Sequence, residues 1–394
     1  MKIALFGLFG IGNFGNDASL EAMLDFLRRA RPDAVLTCIC ERPDIIENKF
    51  SIPCVPIHAA APTGRRFQIL NRLFLRVPRL LGLAFESSKR TREFDLLFIP
   101  GTGILGDLMN RPHRTPLALL MWCIAARLRG VKIIFVSIGA GPIENPISRL
   151  LMVSAAKLAH YRSYRDQESK DFMRSMRVDV YNDSIFPDIV FGLPEDRSVD
   201  GVHQGKALTI GIGIMNYRGW WHEDEKLYDD YQKKMEHFAA WCLSVGHNVR
   251  ILQCDVYDKV AVDRLLQAVR KRKREGGQEI LFDEAADIHD LMRQIDQTDA
   301  VVATRFHTVV CALKLATPVI SVGYGSKNDE LMKSMGMGDF CQDIQCFDLE
   351  KLLSQFGELI AKRTSIRERV VEKNLSLRAQ LSKQEAMLTS RFLE

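Results

Sequence analysis

The sequence predicts an α/β protein built as two halves, each an open sheet covered by helices. Three observations carry this. Short apolar runs alternate with amphipathic helical stretches along the chain. Glycine-rich loops follow the strands of the first half at 7–15, 101–106 and 139–141, where an open α/β sheet receives its ligand. A non-periodic stretch at 192–206, carrying glycine, proline and charges, divides the halves. The expected domains are 1–195 and 205–345, followed by C-terminal helices over 346–394.

Composition narrows the class. Hydrophobic residues make up 47% and charged residues 26% of the 394 positions, the balance of a globular soluble chain. The net charge of +5 suits an anionic ligand and does not argue for nucleic acid. Nine cysteines occur without a Cys-x-x-Cys pair. Cys38 and Cys40 alternate in a strand and Cys311 lies in an apolar helix, so buried, reduced thiols are expected. The nine histidines are dispersed, no zinc set is visible, and neither a metal nor a cofactor is expected. The chain passes from Met1 straight into a strand and holds no apolar run of spanning length, so a cytoplasmic protein is expected.

In order, 3–6 reads as a buried strand. It opens into a loop whose Gly10, Gly12 and Gly15 match G-x-G-x-x-G, then into a helix capped by Asn16 or Asp17 with Leu20, Met23, Leu24 and Leu27 as its apolar face. Such a loop brings backbone N–H groups to an anion; a tight turn without ligand is the alternative. The strand at 35–40 ends at Glu41, where an NAD-binding fold places an acid on a ribose hydroxyl, so a dinucleotide oxidoreductase stands as a rival. Residues 64–92 interleave Arg65, Arg66, Arg72, Arg76, Arg79, Lys89, Arg90 and Arg92 with Phe67, Leu70, Leu73, Phe74 and Leu81. This basic amphipathic helix suits either a membrane surface or a packed helix with an arginine-rich solvent side. Strands follow at 95–99, 131–137 and 161–164, with helices at 116–129 and 148–159 and another running to Met176.

The second half opens with a strand at 207–214 and the loop Met215-Asn-Tyr-Arg-Gly-Trp-Trp221, whose tryptophans beside Arg218 suit a sugar face or a cation–π contact. Helices at 231–246, 260–274 and 288–295 alternate with strands at 248–254 and 280–282. The strand at 300–303 then runs into Thr304-Arg-Phe-His307, a short helix to Ala316, and a strand at 319–322. Arg305 is a fixed cation and His307 moves protons near neutral pH, a pairing that suits an anionic substrate needing protonation; a structural histidine at a helix start is the alternative. Lys327 lies in the loop after the next strand.

Taken together, these pieces resemble the polysaccharide pyruvyl transferase family. The resemblance rests on Gly12-Asn-Phe-Gly-Asn-Asp17, Pro100-Gly-Thr-Gly-Ile-Leu-Gly-Asp107, Ser137-Ile-Gly-Ala-Gly-Pro142, Arg165-Asp-Gln-Glu-Ser169, Arg218-Gly-Trp220, Thr304-Arg-Phe-His307 and Lys327, in order along the chain. It implies two Rossmann-like domains facing a central cleft, as in GT-B glycosyltransferases. It also implies phosphoenolpyruvate as donor and a saccharide acceptor, often lipid-linked at the cytoplasmic membrane face, joined to pyruvate as a ketal in polysaccharide biosynthesis. On the family pattern His307 is the acid–base residue, and Arg305 and Arg165 hold the donor's carboxylate and phosphate. Arg218 and Trp220 line the cleft, with Gly219 where the family has proline. Lys327, Gly12, Asn13, Asp17, Gly101 and Gly103 complete the substrate-binding set. The 1–195 domain becomes the acceptor side, and 65–92 becomes a peripheral membrane contact. A sugar-nucleotide glycosyltransferase on the same architecture and a non-catalytic glycan-binding relative are the alternatives.

Overall fold

The computed structural model describes residues 1–58, 77–107, 111–195, 207–219, 223–272 and 277–394. Most of its strands are buried on both faces, which is why they read as unbroken apolar runs rather than alternations. β1 (Lys2–Phe6), β2 (Val35–Cys40), β3 (Cys54–Pro56), β4 (Leu96–Pro100), β5 (Lys132–Ile138), β6 (Tyr161–Tyr164) and β7 (Ser184–Ile185) form one sheet in the order β3-β2-β1-β4-β5-β6-β7. Every pair in it is parallel. The helices of this half are α1 (Phe14–Ala30), α2 (Pro43–Phe50), α3 (Val77–Arg90), α4 (Thr115–Leu128), α5 (Pro146–Lys157) and α6 (Gln167–Ser175). Phe6, Ile99, Trp122, Phe135, Met152 and Tyr164 belong to one buried core there, between sheet and helices.

The second half repeats the plan. β8 (Thr209–Gly213), β9 (Asn248–Leu252), β10 (Ile280–Leu281), β11 (Ala300–Ala303), β12 (Val319–Gly323) and β13 (Cys341–Asp343) are ordered β10-β9-β8-β11-β12-β13, again all parallel. The helices are α7 (Glu225–Ser244), α8 (Lys259–Arg272), α9 (Ile288–Asp296), α10 (Phe306–Lys314), α11 (Ser326–Ser334), α12 (Leu349–Ala361) and α13 (Arg363–Leu388). Read from its own first strand, the second sheet has the 3-2-1-4-5-6 order of a dinucleotide-type doubly wound fold, and the first has the same order with β7 added beyond β6. The order reverses between β1 and β4 in one sheet and between β8 and β11 in the other. Loops leaving the carboxyl ends of those strands are therefore the places to look for chemistry.

Side-chain caps fix many helix starts. Asn145 Oδ1 accepts from Ile147 and Ser148 N–H ahead of α5, and Asp166 Oδ1 accepts from Ser169 N–H at 2.6 Å ahead of α6. Asp224 caps α7 the same way through Leu227 N–H, so that helix begins at Glu225 and not at the first apolar repeat near 231. The short elements β3, β7, β13 and α2 have too few residues to show a period.

The chain divides into two units. One comprises Met1–Ile11, Asn16–Ile189 and Leu381–Glu394; the other comprises Gly12–Gly15 and Val190–Gln380. Two adjustments to the sequence reading follow. Residues 346–394 do not stand as a body of their own: α13 belongs to the second unit as far as Gln380 and to the first from Leu381. The crossover falls at Ile189/Val190, just ahead of the expected linker, of which 196–206 lies outside the described residues. In the first unit the returning segment is tied by Gln384, whose amide bonds Ser137 and Ser163, and by Arg29 against Glu385 at 2.9 Å. Arg31 also donates to the carbonyl of Leu393. Among the described residues no helix is long and apolar enough to cross a membrane.

Candidate active-site residues in each unit

In the second unit the loop after β11 is Thr304-Arg-Phe-His307. Arg305 sits at the N-cap of α10 in extended backbone, so its side chain leaves the helix start while Phe306 and His307 form the first turn. Its guanidinium grips Asp258 with two bonds, Nε to Oδ2 and Nη2 to Oδ1, each 2.7 Å, and Nη1 lies 3.4 Å from Asp255 Oδ2. Asp258 is fully buried and also accepts from the N–H of Asn216, in the loop after β8. One carboxylate thus ties together the loops at the point where strand order reverses. Burial works against the Arg305 charge, yet Asp258 and then Asp255 outweigh it and hold the guanidinium firmly protonated. Asp255 is pushed above the usual carboxylate range by burial, with Arg305 opposing and Asp258 adding to the rise.

Beneath this pair the backbone is equally bound. Tyr231 Oη lies 2.7 Å from Thr304 Oγ1 and accepts from Met215 N–H, and Asn328 Nδ2 donates to the carbonyl of Thr304. The Phe306 and His307 rings meet edge-on at 5.2 Å, and Lys327 Nζ stands 5.5 Å from the Phe306 ring and 4.5 Å from that of Tyr324.

Gly12, Asn13 and Gly15 join this unit. Asn13 Nδ2 donates to Asp255 Oδ2 at 2.8 Å, and the N–H of Val256 donates to Gly12 O. A side chain at Gly12 would strike Val256 at 2.3 Å, and one at Gly15 would come within 1.8 Å of His307 Nδ1. Gly12 and Gly15 therefore have a packing reason in this chain: they let the backbone pass against Val256 and the His307 ring.

Arg218, in the loop after β8, joins the same unit's network through Asn216, to whose Oδ1 its Nε donates at 3.3 Å. Arg218 places its guanidinium 4.2 Å from the Tyr228 ring centre and pairs with Glu225. Trp220 lies outside the described residues, as do Arg65, Arg66, Arg72 and Arg76. In the first unit Asp17 Oδ1 accepts from Gly10 N–H at 2.8 Å, closing the first loop on itself. Gly101 O accepts from Ser19 Oγ, and a side chain at Gly101 would strike Ile189 at 2.6 Å, whereas one at Gly103 would meet open space. Arg165 follows β6, packs on Gly139 and is nearly buried, with Nε 3.3 Å from Asp166 and Nη1 3.7 Å from Asp188. Glu41, read as a ribose contact, pairs with His58 at 3.3 Å, and that hydrogen bond lowers its pKa against the opposing effect of burial.

Sequence reasoning missed Asp255 and Asp258, which follow β9, the strand beside β8. The available signal was an acidic pair at the carboxyl end of a strand next to the reversal point. It also missed Cys54, which β3 sets beside Cys38 and Cys40. Hydrogen bonds from those two thiols hold the Cys54 thiol down, at about 4, with burial opposing.

Two parallel α/β sheets of this order define the GT-B class, and solved structures agree. The chain superposes on UDP-GlcNAc 2-epimerase from Neisseria meningitidis with a TM-score of 0.61 at 9% identity, covering 98% of this chain and 100% of that one. For the UDP-GlcNAc 2-epimerase from Methanocaldococcus jannaschii the values are 0.59 and 10%, with 91% and 93% covered. A lipopolysaccharide outer core galactosyltransferase gives 0.54 and 12%, with 97% and 100% covered. At these identities the likeness speaks for the fold alone. The model of the polysaccharide pyruvyl transferase family matches residues 13–326, and the chain belongs to that family. Among curated proteins none matches it.

Proposed function

We propose that the protein transfers the pyruvyl group of phosphoenolpyruvate to two hydroxyls of a saccharide, forming a cyclic ketal and releasing phosphate. The observation that carries this reading is the histidine at the reversal point of the second sheet, packed against glycine and set two residues from an arginine that two aspartates keep charged. Membership of the family supports the same reading. Protonation of the donor's methylene carbon leaves an oxocarbenium centre at C2, which a sugar hydroxyl attacks. The second hydroxyl then displaces phosphate. His307 supplies the first proton as imidazolium and takes up a hydroxyl proton afterwards. Lys327, in the same unit as His307, offers positive charge to the donor's anionic groups. Arg305 has most of its charge matched by Asp258 and Asp255, so its part is to hold the loop that carries His307 as well as to meet an anion. Asn13, with Gly12, orders the backbone against Asp255. No metal or cofactor enters this scheme.

The acceptor side of this proposal lies in the first unit, and its lipid-linked form would be met by the basic residues of 65–92. Neutralising Arg65, Arg66 and Arg72 is expected to abolish salt-sensitive binding to anionic liposomes; undiminished binding removes the membrane contact from the proposal.

Phosphate release from phosphoenolpyruvate, measured across saccharide and lipid-linked acceptors, tests the central claim. Wild type is expected to release phosphate only with its acceptor, and His307→Ala to lose about 10²–10⁴-fold while keeping its fold. Acceptor-dependent release that survives His307→Ala unchanged would remove the histidine from the chemistry. Binding of a nucleoside diphosphate with none of phosphoenolpyruvate would replace the reading by sugar transfer.

A further inference from the structure

β2 and β3 pair in parallel at the edge of the first sheet, with Cys38 directly opposite Cys54. Side chains two apart on a strand share a face, and in-register neighbours on adjoining strands share it too. Cys38, Cys40 and Cys54 therefore point to one side, and their three sulfurs all lie within 4.8 Å of one another. Cys38 and Cys40 are fully buried, while Cys54 is half-buried.

We propose that these three thiols form a binding site for a divalent d¹⁰ ion of the zinc class, which clamps the edge strand β3 to β2. Zinc–sulfur bonds of about 2.3 Å place tetrahedral sulfurs about 3.8 Å apart. The cluster needs only small side-chain adjustment to reach that spacing. A disulfide would use two sulfurs and strand the third in the core, whereas a metal ion uses all three. Water or an added ligand would complete the tetrahedron as the fourth ligand. On binding, Zn²⁺ replaces the thiol protons, which leave to solvent, and no electron is transferred. A dication suits the burial: three thiolates around Zn²⁺ leave a single net negative charge, whereas a monovalent ion would leave two. The cluster belongs to the first unit and the Arg305–His307 group to the second, and the role of the metal is structural.

The test uses the full chain, reduced and stripped with a chelator, then given Zn²⁺ alone. One equivalent is expected to bind, with release of protons, a higher thermal midpoint, and a zinc absorption-edge spectrum showing three sulfur neighbours at about 2.3 Å. Cys54→Ser is expected to weaken binding by more than about tenfold, and Cys346→Ser, at an exposed thiol, to leave it unchanged. Cobalt substitution of the wild type, read by thiolate charge-transfer bands, gives the same answer without a variant that has to fold. Sub-stoichiometric zinc, a zinc environment without sulfur, affinity indifferent to Cys54→Ser, or isolation with Cys54 already in a disulfide would each overturn the proposal.

Discussion

Arg165 and Arg305 make the instructive comparison. Each follows the carboxyl end of a parallel strand, each is largely buried, and each has two aspartates beside it. Arg305 is fastened: two 2.7 Å bonds to a fully buried Asp258 fix the plane of the guanidinium, and a backbone N–H from the neighbouring loop shares the same carboxylate. Arg165 is cradled more loosely, at 3.3 and 3.7 Å, with Gly139 leaving room for its head. The first arrangement spends its hydrogen bonds on holding a loop; the second rests on longer ion pairs to Asp166 and Asp188. Position after a strand marks both residues, and only the partners separate their parts.

The largest expected effect tests the fastening. Asp258→Ala leaves the Arg305 charge buried against Asp255 alone, and should cost about 3–5 kcal/mol of stability in the second unit. Asp188→Ala in the first unit should cost less, about 1–3 kcal/mol, because its ion pair with Arg165 is long at 3.7 Å. Urea unfolding followed with a probe in each unit measures both, and equal losses would erase the distinction drawn here.

Next in size comes the pair of glycines that differ in the space around them. Gly15→Ala drives a methyl group into His307 Nδ1, so the ring must move, at about 1–3 kcal/mol with a fall in phosphate release. Gly103→Ala meets open space and should stay within about 0.5 kcal/mol of wild type. A Gly15→Ala protein of full activity would show that the ring position is not critical.

The smallest effect is a pH dependence. Asp255 has its folded pKa raised, by burial first, so folding favours its protonated form. The stability this group contributes is fully present below its unfolded value of about 3.9 and is lost as pH rises through the folded value. Asp255→Asn cannot titrate. Its stability relative to wild type should therefore improve as pH rises from about 4 towards neutrality, and a pH-independent gap in urea midpoints would contradict the assignment.

What could be read in advance follows the range of the forces. Apolar runs such as 131–137 act over a few residues, so the alternation of strands and helices was legible, as were the loops at the strand ends. Arg305 and His307 stood out because their chemistry is in their side chains. Their surroundings did not, since Asp258 reaches Arg305 across 47 positions and Asn13 reaches Asp255 across 242. Gly12 and Gly15 look like an anion cradle in sequence, and the fold adds a second demand on them that only distant partners reveal, close packing against Val256 and His307. The edge strand β3, three residues long, carried no period, and the thiol cluster stayed hidden with it.

The helix shared by both units bears on synthesis. Ser137 and Ser163 find their buried partner Gln384 only 247 and 221 positions later. A nascent chain that has already made every strand of the first sheet still lacks the segment that closes over β5 and β6. The first unit, begun at residue 1, thus becomes complete after the second has been made, and the two must mature in the reverse of their order of emergence.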